Sequence, residues 1–181
     1  GIIFPCIQGS IIVMIIAGGE VYYRDKYPDQ VAFRNIFSAS GIKTKYFFNS
    51  AILGLTLTAL FFAYQILFYL ISNHLGGWSP TEVPNINVLG TYIPWVGVLL
   101  WGLYPAVSEE GISRLFSIPF LQKHTKSTVF AVLASSLFWG LAHAGYPAQP
   151  YYIRAIEVGL GGVFISIIFL RFGILPALIW H

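Results

Sequence analysis

Charged residues are scarce in this chain: only 9% of its 181 residues are Asp, Glu, Lys or Arg, and only seven are acidic. Soluble domains average about 25% charged residues, so this composition excludes an ordinary soluble protein. The sequence also lacks a basic, solvated stretch of the kind that binds nucleic acid, which excludes that class of partner. With 56% apolar and 17% aromatic residues, the chain is predicted to be an integral membrane protein.

Cysteine is almost absent as well. Cys6 is the single cysteine, which excludes an internal disulfide framework and any metal site built from several cysteines. The apolar residues begin at once, with no basic segment before them and no small-residue cleavage site, which argues against a signal peptide. Gly1 is not an initiator, and the chain stops at His181 inside an apolar run. We therefore expect residues 1–181 to form one transmembrane domain within a longer protein.

Long apolar stretches are abundant, and they predict an all-α, polytopic transmembrane helix bundle of about six spans. A span needs about 20 residues to cross about 30 Å of hydrocarbon. The candidates are Ile2–Gly19, Phe48–Ile71, Val88–Tyr104, Thr128–Ala144, Ala155–Leu170 and a sixth stretch that starts near Ile174.

The charges in the connections alternate. Basic residues occur between the first two spans and between the third and fourth, where Lys123 and Lys126 lie, whereas 72–87 has no Lys or Arg. By the positive-inside rule, the basic connections face the cytoplasm and the segment starts outside. Arg154 is the exception, and it is predicted to form a local helix pair with Glu157 and to extend its side chain to the interface.

Two adjacent acids, Glu109 and Glu110, lie at the edge of the third apolar stretch, and ionisable residues at membrane depth are functional candidates by default. In a helix, Glu110 and Arg114 are four residues apart and share a face, so they can form an ion pair. Glu109 lies about 140° from Arg114 on the helix, so the same arginine does not serve it easily. This geometry predicts that Glu110 is structural and Glu109 reactive; the alternative is an interfacial salt bridge at a helix end.

Two histidines in the apolar part complete the candidate site. His143 ends the fourth span, one helical turn after Trp139, and His181 follows Pro176 in the last stretch. A carboxylate with two imidazoles suits water activation by Glu109, or a divalent metal such as zinc held by Glu109, His143 and His181. The sequence has no HExxH helix, which excludes a zincin, and no Gly-x-Ser-x-Gly motif to support a serine nucleophile.

At these residues the chain resembles the CPBP family, the type II CAAX prenyl endopeptidases and bacteriocin-processing enzymes also called the Abi family. The family's first motif matches Glu109, Glu110 and Arg114. Its second matches Trp139 and His143, although phenylalanine is usual before the histidine. Its third begins at His181, and its Asn or Asp would lie beyond the sequence. The resemblance covers residues 105–181, which it implies are the catalytic core.

The resemblance implies an intramembrane endopeptidase in which Glu109 and His143 activate water. It implies that His181 stabilises the oxyanion or binds metal, with Glu110, Arg114 and Trp139 in support. The expected partners are a peptide or membrane-protein substrate and the bilayer, and the expected location is a bacterial plasma membrane. A proton-coupled transporter, and a non-catalytic immunity or scaffold protein of the same fold, remain alternatives.

A straight helix from Val88 to Arg114 would carry Glu109 about 30 Å from its outer end, near the inner surface. His143 would then lie near the outer end of the next span, out of reach. We therefore predict a break in the helix within about three residues of Pro105, which would turn Glu109 back toward the histidines.

Overall fold

The structure is a computed structural model that describes residues 3–80 and 90–181. Nine α-helices lie in these residues: α1 (Ile3–Lys26), α2 (Phe33–Ile36), α3 (Ala39–Ile42), α4 (Lys45–His74), α5 (Pro94–Glu110), α6 (Ile118–Thr125), α7 (Thr128–Ala142), α8 (Tyr152–Phe172) and α9 (Ile174–Trp180). A π-helical segment, Gly111–Ser117, joins α5 to α6. No strand is found in the described residues, so the predicted all-α fold is confirmed.

Three helices in the described residues are long and apolar enough to cross a membrane, within Cys6–Lys26, Lys45–His74 and Tyr152–Phe172. Thr128–Ala142 is a shorter apolar helix. The predicted third span begins at Val88, outside the described residues, and its described part is α5. The predicted sixth stretch is α9, which has seven residues. The membrane helix bundle is confirmed, although only three of the six predicted spans have full crossing length in the described part.

The bundle has an apolar core with several polar residues buried beside it, and many large apolar residues lie on its outside. Large apolar side chains of α4 and α5 are more than half exposed, among them Leu67 and Leu100, as expected for a surface that faces lipid. By contrast, the residues buried in the bundle include these serines and charged groups: Ser108, Glu110, Ser113, Arg114, Ser135, Ser136, Glu157 and Ser166. In a membrane such groups are stable only when they find partners inside the protein. The positions of these buried polar residues therefore mark the interior of the helix bundle.

α5, the π-helical segment and α6 form one continuous helical run from Pro94 to Thr125. The predicted position of the break is wrong, because Pro105 lies inside α5 and the α-helical pattern first changes at Gly111. A proline removes only one backbone donor, and membrane helices tolerate this when neighbouring groups satisfy the freed carbonyl. The error came from taking Val88–Arg114 as the full helix, which put Glu109 near its end, whereas the helical run extends from Pro94 to Thr125 and Glu109 lies near its middle.

A tight turn after α6 brings Glu109 and His143 together without a break at Pro105. Only two residues lie between the end of α6 and the start of α7 at Thr128, so the two helical runs form an antiparallel hairpin. Glu109 lies 17 residues before Lys126, and His143 lies 16 residues after Ser127. These nearly equal distances from the turn place the two residues at about the same level of the hairpin.

Two of the connections that carry basic residues meet in the structure. Lys123, at the end of α6, pairs with Asp25 at the end of α1, with 3.3 Å between Nζ and Oδ2. The loops after α4 and α7 also meet each other: Trp78 and Gln149 exchange two backbone hydrogen bonds of 2.7 and 2.8 Å. The basic connections therefore lie together, and their cytoplasmic location remains a prediction.

Glycine permits the close packing of α7 against α8. A Cβ atom added at Gly140 would lie 2.4 Å from the carbonyl oxygen of Ala155 and 2.9 Å from the backbone of Gly159. Both contacts are with backbone atoms, which cannot move aside as a flexible side chain can. The two helices would have to separate to accept even one methyl group.

We predict that Gly140→Ala lowers stability by about 1–3 kcal/mol, because it overpacks the contact between α7 and α8. The measurement is thermal unfolding of the protein in detergent. Gly18→Ala is the matched control: Gly18 lies in α1, and a Cβ added there would meet open space. This variant should leave the unfolding midpoint unchanged or slightly raised. Equal midpoints for the two variants would contradict this account of the packing.

Candidate active site

The site is built on a buried ion pair between Glu110 and Arg114. Arg114 Nη1 donates to Glu110 Oε1 over 3.0 Å, and both side chains are fully buried. The pairing predicted from the four-residue spacing is confirmed. One residue is at the end of α5 and the other in the π-helical segment, so the pair spans the junction between them.

Arg114 also reaches two other helices. Its Nη2 donates to the carbonyl oxygen of Gly162 in α8 over 3.3 Å. Its guanidinium lies 4.1 Å from the ring centroid of Trp139 in α7, within the range of a cation–π contact. Gly162 has no side chain to block this approach: a Cβ there would lie 3.2 Å from Arg114 Nη2. One cation thus joins the glutamate helix to α7 and α8.

Glu109 points the other way, toward the two histidines. Trp139 Nε1 donates to Glu109 Oε2 over 2.7 Å. His143 Nε2 and His181 Nε2 lie 3.5 and 3.9 Å from the same oxygen. The Glu109 side chain is 31% exposed, against 0% for Glu110. The three residues predicted to be catalytic therefore lie together in the structure.

The two histidines are fixed by different partners. His143 Nδ1 lies 2.8 Å from the carbonyl oxygen of Trp139, which can only accept, so Nδ1 carries the proton. The neutral ring then has a free lone pair on Nε2, which faces Glu109. His181 Nδ1 instead lies 2.9 Å from Glu110 Oε1, a carboxylate that is also paired with Arg114. The rings therefore differ in what they can do: one can accept a proton, and the other can carry an extra proton opposite a carboxylate.

The contact between Glu110 and His181 was not predicted from the sequence, which assigned Glu110 only to Arg114. The two residues are 71 positions apart, and no local spacing brings them together. Glu110 is therefore both the partner of Arg114 and the residue that orients the third histidine.

An open pocket of about 230 Å³ gives access to the histidines. Its lining is mostly apolar and aromatic, with Trp139 and Trp180 next to His143 and His181. Arg154 also lines it, although the sequence assigned this residue only to a local pair with Glu157. The sequence did contain a signal for a larger role of Arg154, because its partner Glu157 is one of only seven acidic residues and lies inside an apolar span.

The predicted metal site does not fit the arrangement of the side chains. In the described residues, no group of three or more His, Cys, Asp and Glu side chains is placed to hold a metal ion. Glu109, His143 and His181 offer the nitrogen and oxygen donors that zinc prefers. However, His181 Nε2 is 3.9 Å from Glu109 Oε2, beyond the ligand separation of about 3.3 Å in a tetrahedral zinc site. We derive no chemical step through a metal.

Comparison with known proteins places the chain in a family. The model of the type II CAAX prenyl endopeptidase Rce1-like family matches residues 91–181, half of the chain. The match includes the two glutamates, Arg114, Trp139 and both histidines. The chain therefore belongs to this family of membrane endopeptidases, and the resemblance predicted from the motifs is confirmed.

One curated relative is the sporulation-killing factor biosynthesis protein SkfC of Bacillus subtilis (strain 168). It is 28% identical over 100 residues, which cover 55% of this chain and 20% of that protein. The matched stretch is thus about a fifth of the relative's length. No solved structure matches the chain.

Proposed function

We propose that the protein is an intramembrane endopeptidase that hydrolyses peptide bonds with water activated by Glu109 and His143. The observation that carries the proposal is the convergence of Glu109 Oε2, His143 Nε2 and His181 Nε2 beside an open pocket. Family membership supports peptide-bond hydrolysis over the alternative of a proton-coupled transporter. The substrate would be a peptide or membrane protein presented from the bilayer, and a bacterial plasma membrane is the location we propose.

In the proposed reaction, a water lies between the substrate and Glu109. The Glu109 carboxylate, assisted by His143 Nε2, takes one proton from the water as its oxygen attacks the carbonyl carbon. The new C–O bond leaves negative charge on the former carbonyl oxygen. The proton then passes to the amide nitrogen as the C–N bond breaks, which restores Glu109 and releases an amine and a carboxylic acid.

His181 has the complementary role in this proposal. It would donate from Nε2 to the developing oxyanion, while Glu110 accepts from Nδ1 and balances the charge of the doubly protonated ring. Arg114 holds the Glu110 side chain in place for this task. The different Nδ1 partners of the histidines thus support a proton acceptor at His143 and a donor at His181.

We predict that Glu109→Gln lowers the rate of cleavage by about 100- to 10,000-fold, because the amide cannot accept the proton. Cleavage of a membrane-protein substrate by the full-length protein is the measurement, with unfolding in detergent as the check on folding. Asp25→Asn removes an exposed acid and is the matched control, with no expected effect. Cleavage at the normal rate by Glu109→Gln would exclude the proposed base.

We predict a smaller effect for Trp139→Phe, which keeps an aromatic ring over Arg114 but removes the N–H that orients Glu109. A hydrogen bond to a charged group contributes about 1.5–3 kcal/mol, so the rate should fall roughly 10- to 100-fold. The variant restores the phenylalanine usual at this motif position. A rate equal to that of the wild type would show that the indole N–H does not position the base.

The water mechanism also predicts the response to chelation. A chelator of divalent cations should leave cleavage by the purified protein unchanged, because side chains alone take the proton from water and pass it to the amide nitrogen. The measurement is the cleavage rate before and after dialysis against the chelator. If activity were lost and zinc restored it, Glu109, His143 and His181 would instead be assigned to a metal.

A further inference from the structure

A polar pocket of about 430 Å³ lies between the segment that contains α2 and α3 and the start of α4. Its lining includes five side chains with hydroxyl or amide groups: Asn35, Ser38, Ser40, Thr44 and Tyr46. Ser38, Thr44 and Tyr46 donate to backbone carbonyl oxygens, and these bonds fix the walls of the pocket. Asn35 and Ser40 are exposed, so an amide and a hydroxyl remain within reach of a ligand.

Three exposed cations adjoin the lining residues of the polar pocket along the chain. Arg34 lies in α2, and Lys43 and Lys45 lie on either side of Thr44. No acidic residue occurs anywhere in residues 30–80. The local charge of this stretch is therefore positive, which favours a bound anion.

Two acids lie close to this segment, and neither of them lines the polar pocket. Asp29 precedes the segment in the loop after α1 and is exposed. Glu20 reaches the start of α2 from α1, where its Oε2 accepts from the backbone N–H of Phe33 over 2.9 Å. Neither carboxylate therefore takes the place of an anion in the pocket.

An apolar groove of about 300 Å³ adjoins the polar pocket, and the two share Phe47 of α4 and Leu175 of α9. The rest of the groove is lined by apolar residues, mostly of α5 and α9, and by His181. Leu99 and Leu103 in its wall are more than half exposed, so the groove opens to the surface that faces lipid. Leu175 and His181 are six residues apart, so the groove runs about 9 Å along α9 at 1.5 Å per residue.

We propose that the polar pocket and the apolar groove together bind one anionic phospholipid of the membrane. Its phosphate would lie beside Arg34, Lys43 and Lys45, and one acyl chain would follow α9 toward His181. Cations at the ends of membrane helices attract anionic headgroups, by about fivefold in affinity for each cation. A charged pocket continuous with an apolar groove matches the two halves of such a lipid. The inference is independent of the proposed peptidase function.

The other possible occupants of the groove are unselected bilayer lipid and a further segment of a longer chain. Native mass spectrometry of the full-length protein, titrated with one probe at a time, separates them by the affinity of each bound species. The probes are dipalmitoylphosphatidylglycerol, dipalmitoylphosphatidylcholine and glycerol phosphate, which has the anionic headgroup without acyl chains. We expect phosphatidylglycerol to bind roughly 10- to 100-fold more tightly than phosphatidylcholine, which has no net charge. Glycerol phosphate should bind at least 10-fold more weakly than phosphatidylglycerol, because it buries no apolar surface in the groove.

A triple variant tests the headgroup half of the site. Arg34→Gln, Lys43→Gln and Lys45→Gln together should make phosphatidylglycerol and phosphatidylcholine bind about equally. All three side chains are exposed, so the variant should fold, and its unfolding midpoint in detergent is the check.

The matched control removes the same charge where α1 and α6 meet. Arg24 and Lys26 flank Asp25, the partner of Lys123, and Lys126 follows the end of α6. The triple variant Arg24→Gln, Lys26→Gln and Lys126→Gln should keep the preference for phosphatidylglycerol. It separates binding at the pocket from a general effect of net charge.

A single substitution tests the acyl-chain half. Gly102 lines the groove, and a Cβ added there would meet no atom within 4 Å, so Gly102→Phe fills the groove without overpacking it. This variant should bind phosphatidylglycerol at least 10-fold more weakly. Gly9→Phe, in equally open space on α1, is the matched control and should bind it normally.

Equal binding of the two phospholipids by the wild-type protein would overturn the proposal and indicate unselected bilayer lipid. Failure of the full-length protein to bind either lipid would overturn it as well, as expected if another segment of a longer chain fills the groove. A preference that survives in the folded variant without Arg34, Lys43 and Lys45, or full affinity in Gly102→Phe, would have the same consequence. Binding is measured without turnover, so each result holds whether or not the protein cleaves peptides.

Discussion

The buried ion pair between Glu110 and Arg114 is the interaction on which the site depends. Removing one member of such a pair typically costs about 3–5 kcal/mol, because the other charge remains buried and uncompensated. Here Arg114 also contacts Gly162 of α8 and the Trp139 ring of α7, and Glu110 also accepts from His181. The pair therefore fixes the relative positions of α7, α8 and α9 around the end of α5. The proposed catalytic geometry of Glu109 and the two histidines therefore depends on the neighbouring ion pair, which is structural.

The adjacent glutamates differ because successive residues on a helix point about 100° apart. One carboxylate faces the arginine in the interior, and the next faces the two histidines, with its side chain 31% exposed. Glu109 consequently has a neutral donor, the indole of Trp139, in place of a cation. A base that is paired with a fixed cation has a lower proton affinity. The one-position separation therefore leaves Glu109, not Glu110, as the carboxylate that we propose as the base.

The local parts of this arrangement could be predicted from the sequence, and the long-range parts could not. The i, i+4 spacing of Glu110 and Arg114 and the one-turn spacing of Trp139 and His143 are set by helical geometry, and each predicts a shared face. The length of the run from Pro94 to Thr125 was missed because the helix was taken to end at Arg114, the last residue of the charged motif, although Arg114 is buried and the helix continues. Without that length the level of Glu109 in the hairpin was wrong, and an unnecessary break at Pro105 was predicted.

Exposure distinguishes the two arginine–glutamate pairs of the bundle. Both unite an arginine and a glutamate three or four residues apart, and both glutamates are fully buried. Arg114 is fully buried as well, and its contacts are with other helices, so a ligand has no path to it. Arg154 extends to the edge of a pocket with the same kind of partner behind it. The carboxylate behind each arginine lowers the cost of placing a cation in an apolar bundle, and of these two arginines Arg154 is the one that lines a pocket.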